Sequence, residues 1–187
     1  IDLISKSRKA MPHFHIPLQS GSDKILKYMK RKYLASDYKL VIDKVKNRIP
    51  NACIGVDVIV GFPGESDADF SETYEFLSQL DISYLHVFTY SDRDNTVSQK
   101  NHNKVSQEEK SNRRNLLKRL SVIKYKKFIE KNFNSNFDVL FEKYNDGILS
   151  GWTQNYIRVN VESNNDFINQ IKTVKLLDNE FINGKLV

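Results

Sequence analysis

Hydrophobic and polar positions alternate from Pro12 to Leu18, with Phe14, Ile16 and Leu18 on one face and His13, His15 and Gln19 on the other. A period of two predicts a strand. Ser22 or Asp23 can then cap a helix carrying Ile25, Leu26 and Met29, and Ser36 can open another carrying Val41, Val45 and Ile49, ended by Pro50-Asn51. Ile54 to Val60 is a near-continuous β-branched run, the pattern of a strand buried on both faces in a parallel sheet. Gly61-Phe62-Pro63-Gly64 turns the chain, Ser66 opens a helix with Phe70, Tyr74 and Leu77, and Ile82 to Tyr90 reads as a third strand.

Strand, helix, strand, helix, strand is a run of βα units, which predicts an α/β fold with a parallel sheet and right-handed crossovers. Three strands make a poor domain by themselves, so the run reads as half of a (β/α) barrel. After a polar loop from Ser91 to Val105, Ser106 and Glu109 form an S-x-x-E capping box. The helix it opens is expected to reach about Asn132, with Leu116, Leu117, Leu120, Ile123 and Phe128 as its apolar stripe. The Asn-rich stretch Asn132 to Asn136 marks a boundary, dividing a first domain over 1–134 from a second over 137–187. Beyond it the texture is all-β: Val139 to Glu142, a turn at Asn145-Asp146-Gly147, then Ile148 to Trp152, Tyr156 to Val161, Ile171 to Leu176 and Phe181 to Val187. Five short strands suit a small closed barrel of the OB type.

Composition narrows the classes. With 187 residues, 40% hydrophobic and 28% charged, the chain can pack a core, and no apolar run approaches the length of a membrane span. One cysteine, Cys53, excludes an internal disulfide framework and fits a reducing cytoplasm. The net charge of +6 is unevenly spread. Lys24 to Arg48 holds nine Lys/Arg against two Asp, Gly55 to Ser98 nine acids against one Arg, and Lys100 to Lys131 eleven bases against three acids. Single blocks of this kind are often solvated helix faces; two basic blocks flanking an acidic one favour a polyanionic partner.

Strand parity assigns the chemistry. Helices cover the outside of a barrel, so Val56, Val58, Val60, Leu85 and Val87 should point outward. Asp57, Ile59, Tyr84, His86, Phe88 and Tyr90 should then face the lumen with His13, His15 and Gln19. An aspartate in a buried strand is costly unless it is paired or functional, and a hydrogen bond to a neighbouring strand is the simpler alternative. His13, His15, Asp57 and His86 could also share a divalent ion, as in barrel hydrolases of the amidohydrolase kind. That class, however, leaves the text LQSGSDKILKYMKRKY unexplained, and no metal ligands are assigned. Gly61 to Glu65 lacks the Lys-Ser/Thr of a phosphate loop.

Taken together, HFHIPLQSGSDKILKYMKRKY (from His13), GVDVIVGFPGESDADF (from Gly55), YLHVFTYSDRDNT (from Tyr84) and GWTQNYIRVNV (from Gly151) resemble the methylthiotransferases of the radical S-adenosylmethionine class. The likeness covers nearly the whole chain. It implies the second half of the radical barrel followed by an RNA-binding TRAM domain. The helix text MKRKY and the strand LHVFTYS are most similar to the branch that converts N6-threonylcarbamoyladenosine, beside the anticodon of certain tRNAs, to its 2-methylthio form. The resemblance implies S-adenosylmethionine and two 4Fe-4S clusters in the full-length enzyme. The cluster cysteines are absent here, so the chain is expected to be a C-terminal fragment, inactive alone and without catalytic residues of its own. It also implies that Gln19 and Ser20 meet the ribose and methionine of the cofactor, that Val60, Gly61 and Phe62 lie near its adenine, and that His86 and Phe88 line it. Asp57 and Tyr90 are assigned to the substrate side. The family's Pro-Gly-Thr text after this strand is replaced here by Asp94-Asn95-Thr96.

For tRNA, with the anticodon stem-loop as expected partner, the candidates are Lys30, Arg31 and Lys32, the pairs Arg113–Arg114 and Lys118–Arg119, and Trp152, Tyr156 and Arg158. Aromatic rings stack on unpaired bases and cations hold phosphates. Burial in a barrel core is the alternative for Trp152 and Tyr156. From Val139 onward five bases face six acids, so the helices are expected to supply most phosphate contacts. A stand-alone RNA-binding module without catalysis is the alternative function.

Overall fold

The structure, a computed structural model, describes residues 1–7, 9–92 and 103–187. The Asp94-Asn95-Thr96 segment lies outside the described residues. Contacts divide the chain into two compact units, one of residues 14–47 and 54–125 and the other of 1–13, 48–53 and 126–187.

The first unit is built on a parallel sheet of order β1-β2-β3: His13–His15, Cys53–Val60 and Tyr84–Thr89. β2 and β3 pair in parallel with Val56 opposite Leu85, Asp57 opposite His86 and Ile59 opposite Phe88. The β-branched run behaves as its pattern predicts: Val56, Val58 and Val60 are buried, as is Leu85, while His86 and Phe88 are exposed. β1 is shorter than the alternation predicts. Its backbone still follows β2, with the Ile16 amide donating to Gly55 O (2.9 Å) and Leu18 to Asp57 O (3.2 Å), but Pro17 between them has no amide to offer. A proline suits an edge strand, where it blunts the open side.

Four helices complete the element list of this stretch: α1 (Asp2–Lys6), α2 (Asp23–Tyr28), α3 (Ala35–Arg48) and α4 (Asp67–Gln79). α1, which belongs to the second unit, has no counterpart in the pattern. Ser22 holds the N-cap position of α2, but its hydroxyl makes no cap hydrogen bond and donates instead to Asp69 Oδ1. α3 opens at Ala35 because Asp37, three residues after Leu34, accepts the Leu34 amide (2.9 Å). Its buried stripe is Tyr38, Ile42 and Val45; Val41 is exposed, one position off the face the pattern assigns. α4 has a full capping box between Ser66 and Asp69 and buries Phe70 and Leu77. α5 (Gln107–Glu130) starts at the Ser106–Glu109 box, with the Glu109 amide donating to Ser106 Oγ (3.1 Å). Leu117 and Leu120 are buried, whereas Leu116 and Ile123 are exposed, so the stripe is narrower than predicted.

In the second unit β4 (Asn136–Asn145), β5 (Ile148–Thr153), β6 (Arg158–Glu162), β7 (Ile171–Leu176) and β8 (Gly184–Leu186) form an antiparallel sheet of order β6-β5-β4-β7-β8. The two-residue turn between β4 and β5 places Asp146 (φ 48°) and Gly147 (φ 78°) in the left-handed region, as an Asp-Gly hairpin requires. Inward positions Val139, Phe141, Leu149, Val159, Val161, Val174 and Leu176 form the core. Asn183 nearly closes the sheet: its Oδ1 accepts the Asn160 amide (2.8 Å) and its Nδ2 donates to Arg158 O (2.9 Å).

Candidate functional site

The carboxyl ends of β1 and β2 carry the two glycine turns, and each is held by α4 or α5. After β1, Gln19 adopts φ 75°, donates its amide to Asp57 O (2.8 Å) and accepts from Ile59 (2.9 Å), so the strand end is pinned to β2. A left-handed backbone at a residue with a Cβ costs about 1–2 kcal/mol, so this conformation is imposed by the pairing. The next residues turn into α4. Thr73 Oγ1 lies 3.2 Å from Ser20 Oγ and accepts the Gly21 amide (3.1 Å). Ser20 is fully buried in this contact, which corrects its assignment to the cofactor surface: its hydroxyl is committed to the turn. The Val60 side chain is likewise buried on the helix-covered face.

Asp69 completes this anchor. It receives Lys24 Nζ (2.7 Å), the Ser66 amide (2.8 Å) and Ser22 Oγ (3.2 Å). Burial opposes its charge, but the bonds from Lys24 and Ser66 outweigh that and hold the carboxyl at about 2. A carboxyl depressed from 3.8 stabilises the fold fully above pH 3.8, and the contribution disappears as pH falls through about 2. Asp69→Asn is therefore expected to lose about 2 kcal/mol at neutral pH and to flatten the acid limb of the stability curve. Urea unfolding followed by circular dichroism from neutral pH downward reads both; an acid limb identical to wild type would contradict the assignment.

The second turn is fixed from α5. Gly61 (φ 74°) donates its amide to Glu65 Oε2 at 2.7 Å. The same carboxylate oxygen accepts Arg113 Nη1 at 2.6 Å, and Arg113 Nη2 reaches Asp67 Oδ1 at 2.7 Å. The side chains of Arg113 and Glu65 are only 6% and 1% exposed. Burial pushes the Glu65 carboxyl upward, while the Gly61 amide and the Arg113 guanidinium pull it back. Arg113 is thus a buried structural cation, and its assignment to an RNA surface is corrected; Arg114, Lys118 and Arg119 beside it are exposed. Lys110 was not anticipated from the sequence. Its side chain crosses Gly61 so closely that an added Cβ would meet its Cγ at 2.3 Å, and its Nζ lies 3.3 Å from Tyr90 O. Phe62 packs edge-on against Tyr90 at 5.1 Å.

The face away from the buried valines carries the polar group that parity assigns there. His15 Nε2 approaches Asp57 Oδ1 at 2.7 Å, and the His15 ring stacks on His86 at 5.2 Å. Asp57 Oδ1 is buried, yet among the described residues no donor is aligned with it for a hydrogen bond. One ligand atom from each of His15, Asp57 and His86 lies within 4.8 Å of the others, a spacing that a cation could bridge. His13 is not part of this group. Its ring stacks on Tyr156 at 4.1 Å, which corrects its placement on the lumen face.

That stack belongs to the second unit. Tyr156 in turn stacks on Trp152 at 4.5 Å, and the Arg158 guanidinium covers Trp152 at 5.1 Å. Tyr156 is held in a left-handed conformation (φ 64°) by a tight turn in which its amide donates to Thr153 O (3.0 Å). Asn155 beneath it is fully buried and donates to Asn51 O (3.0 Å) and Asn132 Oδ1 (3.1 Å). Tyr156 is exposed and Trp152 half-buried, so neither is barrel core. The Tyr156 ring is stacked between His13 and Trp152, and Trp152 carries both Tyr156 and Arg158 against its ring, so an RNA base stacking on Trp152 would compete with them.

Residues 1–77 match the model of the radical SAM superfamily. Among curated proteins the chain is 42% identical to the threonylcarbamoyladenosine tRNA methylthiotransferase MtaB of Aquifex aeolicus, over 87% of this chain and 38% of the relative. It is 35% identical to the protein of that name in Bacillus subtilis, over 95% of this chain and 40% of the relative. It is also 35% identical to the tRNA-2-methylthio-N(6)-dimethylallyladenosine synthase of Neorickettsia sennetsu, over 95% of this chain and 37% of the relative. The chain spans about two fifths of the length of the curated relatives it matches.

Proposed function

We propose that this chain, which belongs to the radical S-adenosylmethionine tRNA methylthiotransferases, forms one wall of the active site of such an enzyme and part of its tRNA-binding surface. The observation that carries this reading is the pair of rigidly braced turns at one end of a parallel sheet, beside an open face bearing His15, Asp57 and His86. Binding sites in such sheets gather at the carboxyl ends of the strands. Gln19, Gly61 and Phe62 would hold S-adenosylmethionine, with His86 and Phe88 along its flank; this cofactor supplies both the radical precursor and the methyl group. The residues do not fit an iron–sulfur cluster, because the one cysteine, Cys53, is fully buried. Cluster ligands would have to come from outside this sequence, and the chain by itself is expected to be inactive.

Asp57 and Tyr90 are proposed to meet the target adenosine, and Lys30, Arg31, Lys32, Arg114, Lys118 and Arg119 the anticodon stem-loop. The β4–β8 sheet is proposed to be a TRAM-type barrel in which Arg158, over Trp152, contacts RNA. The substrate favoured is N6-threonylcarbamoyladenosine, on the identity of 42% to the Aquifex aeolicus relative against 35% for the dimethylallyladenosine synthase. A cytoplasmic location accompanies a tRNA substrate. The test is expression of the full-length parent protein in a bacterial strain lacking both methylthiolated adenosines, followed by mass spectrometry of digested tRNA. The 2-methylthio derivative of N6-threonylcarbamoyladenosine is expected; the dimethylallyl product in its place, or neither product, would overturn the reading.

A further inference from the structure

Between the end of α2 and the start of α3 lies a cavity of about 610 Å³ whose lining includes the cations Lys24, Lys27, Arg31 and Lys32, the ring of Tyr28 and the carboxylates of Asp23 and Asp37. We propose that this cavity is a phosphodiester-binding site that takes the backbone of the RNA substrate, with one unpaired base seated on Tyr28. The assignment rests on the tRNA-modifying reading above and adds a defined site to it.

The charges decide which ligand fits. The two carboxylates are already engaged with backbone: Asp23 Oδ1 accepts the Ala35 amide (2.7 Å) and Asp37 Oδ2 the Leu34 amide (2.9 Å). Lys24 is engaged too, with Asp69. Lys27, Arg31 and Lys32 are exposed, and among the described residues none of their side chains makes a hydrogen bond or ion pair. The lining cations outnumber the two carboxylates, and an anion joining Lys27, Arg31 and Lys32 relieves their mutual repulsion. Their positions are set by backbone, since Lys30 takes φ 56° and the Arg31 amide donates to Leu26 O (2.9 Å), closing α2 with a left-handed turn. Tyr28 stands about half exposed beside them, with Lys24 Nζ 5.9 Å from its ring centre.

Location favours RNA over a small anion. Tyr33 Oη donates to Leu18 O (3.0 Å), one residue before Gln19, and Lys24 Nζ lies 3.4 Å from Gly64 O. The cavity therefore opens at the same end of the sheet as both glycine turns, where a nucleotide strand delivering a base to Asp57 would run. Cations plus an aromatic face match a single-stranded loop, whose bases stack while its phosphates are neutralised.

The experiment is fluorescence anisotropy of the full chain with a synthetic anticodon stem-loop RNA across a salt series. Each phosphate contact to single-stranded RNA contributes a slope of about 0.7 in log K against log salt. The Lys27→Ala/Arg31→Ala/Lys32→Ala variant is therefore expected to lose about 2 from that slope and to bind at least tenfold more weakly. Tyr28→Ala is expected to weaken binding about tenfold, with Tyr28→Phe near wild type. Melting curves monitor folding of each variant. An unchanged slope in the triple variant would overturn the proposal, as would wild-type chain that does not bind the RNA. Competition by inorganic phosphate at concentrations comparable to the RNA would overturn it in favour of a small-anion site. Methylthiolated tRNA formed by a parent enzyme carrying the triple substitution at an unchanged salt slope would leave the functional reading standing and remove this site alone.

Discussion

Arg113→Ala is expected to lower the stability of the chain by about 3–5 kcal/mol, the usual cost of removing one partner from a buried ion pair. Most of that comes from Glu65. Its carboxylate sits 1% exposed with two donors, the Gly61 amide and Arg113 Nη1, and the variant leaves only the amide. The second contact of Arg113 matters less, because Asp67 is 90% exposed and surface pairs contribute about 0–1 kcal/mol. Glu65 is already pushed above 4.5 by burial, and loss of the guanidinium pushes it further. A raised carboxyl favours the folded state below its unfolded value and loses that advantage as pH rises through the folded value. The defect should therefore shrink toward acid pH. Urea unfolding at neutral and mildly acidic pH measures both effects, and a loss below about 1 kcal/mol would mean that the pair contributes no more than a surface contact. Arg113→Met combined with Glu65→Gln should be milder than Arg113→Ala alone, since it removes both charges and keeps an acceptor for Gly61.

Gly21→Ala is expected to cost about 2–3 kcal/mol, the upper part of the range for overpacking. A Cβ at this position would lie 2.8 Å from Thr73 Cα, and 3.1 Å from Phe76 Cβ. The obstacle is the backbone of α4, which cannot rotate aside, so turn and helix must separate. That movement would stretch the contacts of Thr73 Oγ1 with the Gly21 amide and Ser20 Oγ. The result should be a lower melting temperature and faster amide exchange at Gly21 and Ser22. A variant that melts with wild type would show that α4 yields without cost. The effect on the site is expected to be greater than the effect on the second unit, because the β4–β8 sheet shares none of these contacts.

Several features of the fold and of the site were legible from local pattern. The run Ile54 to Val60 announced a buried parallel strand, and its parity put Asp57 on the face opposite Val56 and Val58, where it meets His15 and His86. The box at Ser106–Glu109 was readable because its partners lie three residues apart, and Ser66 was legible as a helix start, though its box with Asp69 came only from the structure. The readings of Arg113, Ser20 and His13 failed for one shared reason. Each side chain is committed by a partner far along the chain: Glu65 for Arg113, Thr73 for Ser20, Tyr156 for His13. A basic pair on a helix looks the same in sequence whether it faces solvent or a buried carboxylate. Lys110 gave no signal either, since nothing local marks a lysine that will lie across Gly61.

By itself, the sequence determined the order of strands and helices apart from α1, the two glycine turns and the polar face between them. Alternation, β-branching and capping act within about four residues, and a chain expresses them before it folds. Only the tertiary structure decided which charges are spent. It enclosed Arg113 and Asp69 as braces for the turns, set Tyr156 and Arg158 against Trp152, and left the side chains of Lys27, Arg31 and Lys32 without a partner among the described residues around one cavity. That division follows from desolvation: whether a charge is a brace or a binding group depends on the distant atoms that exclude water from it.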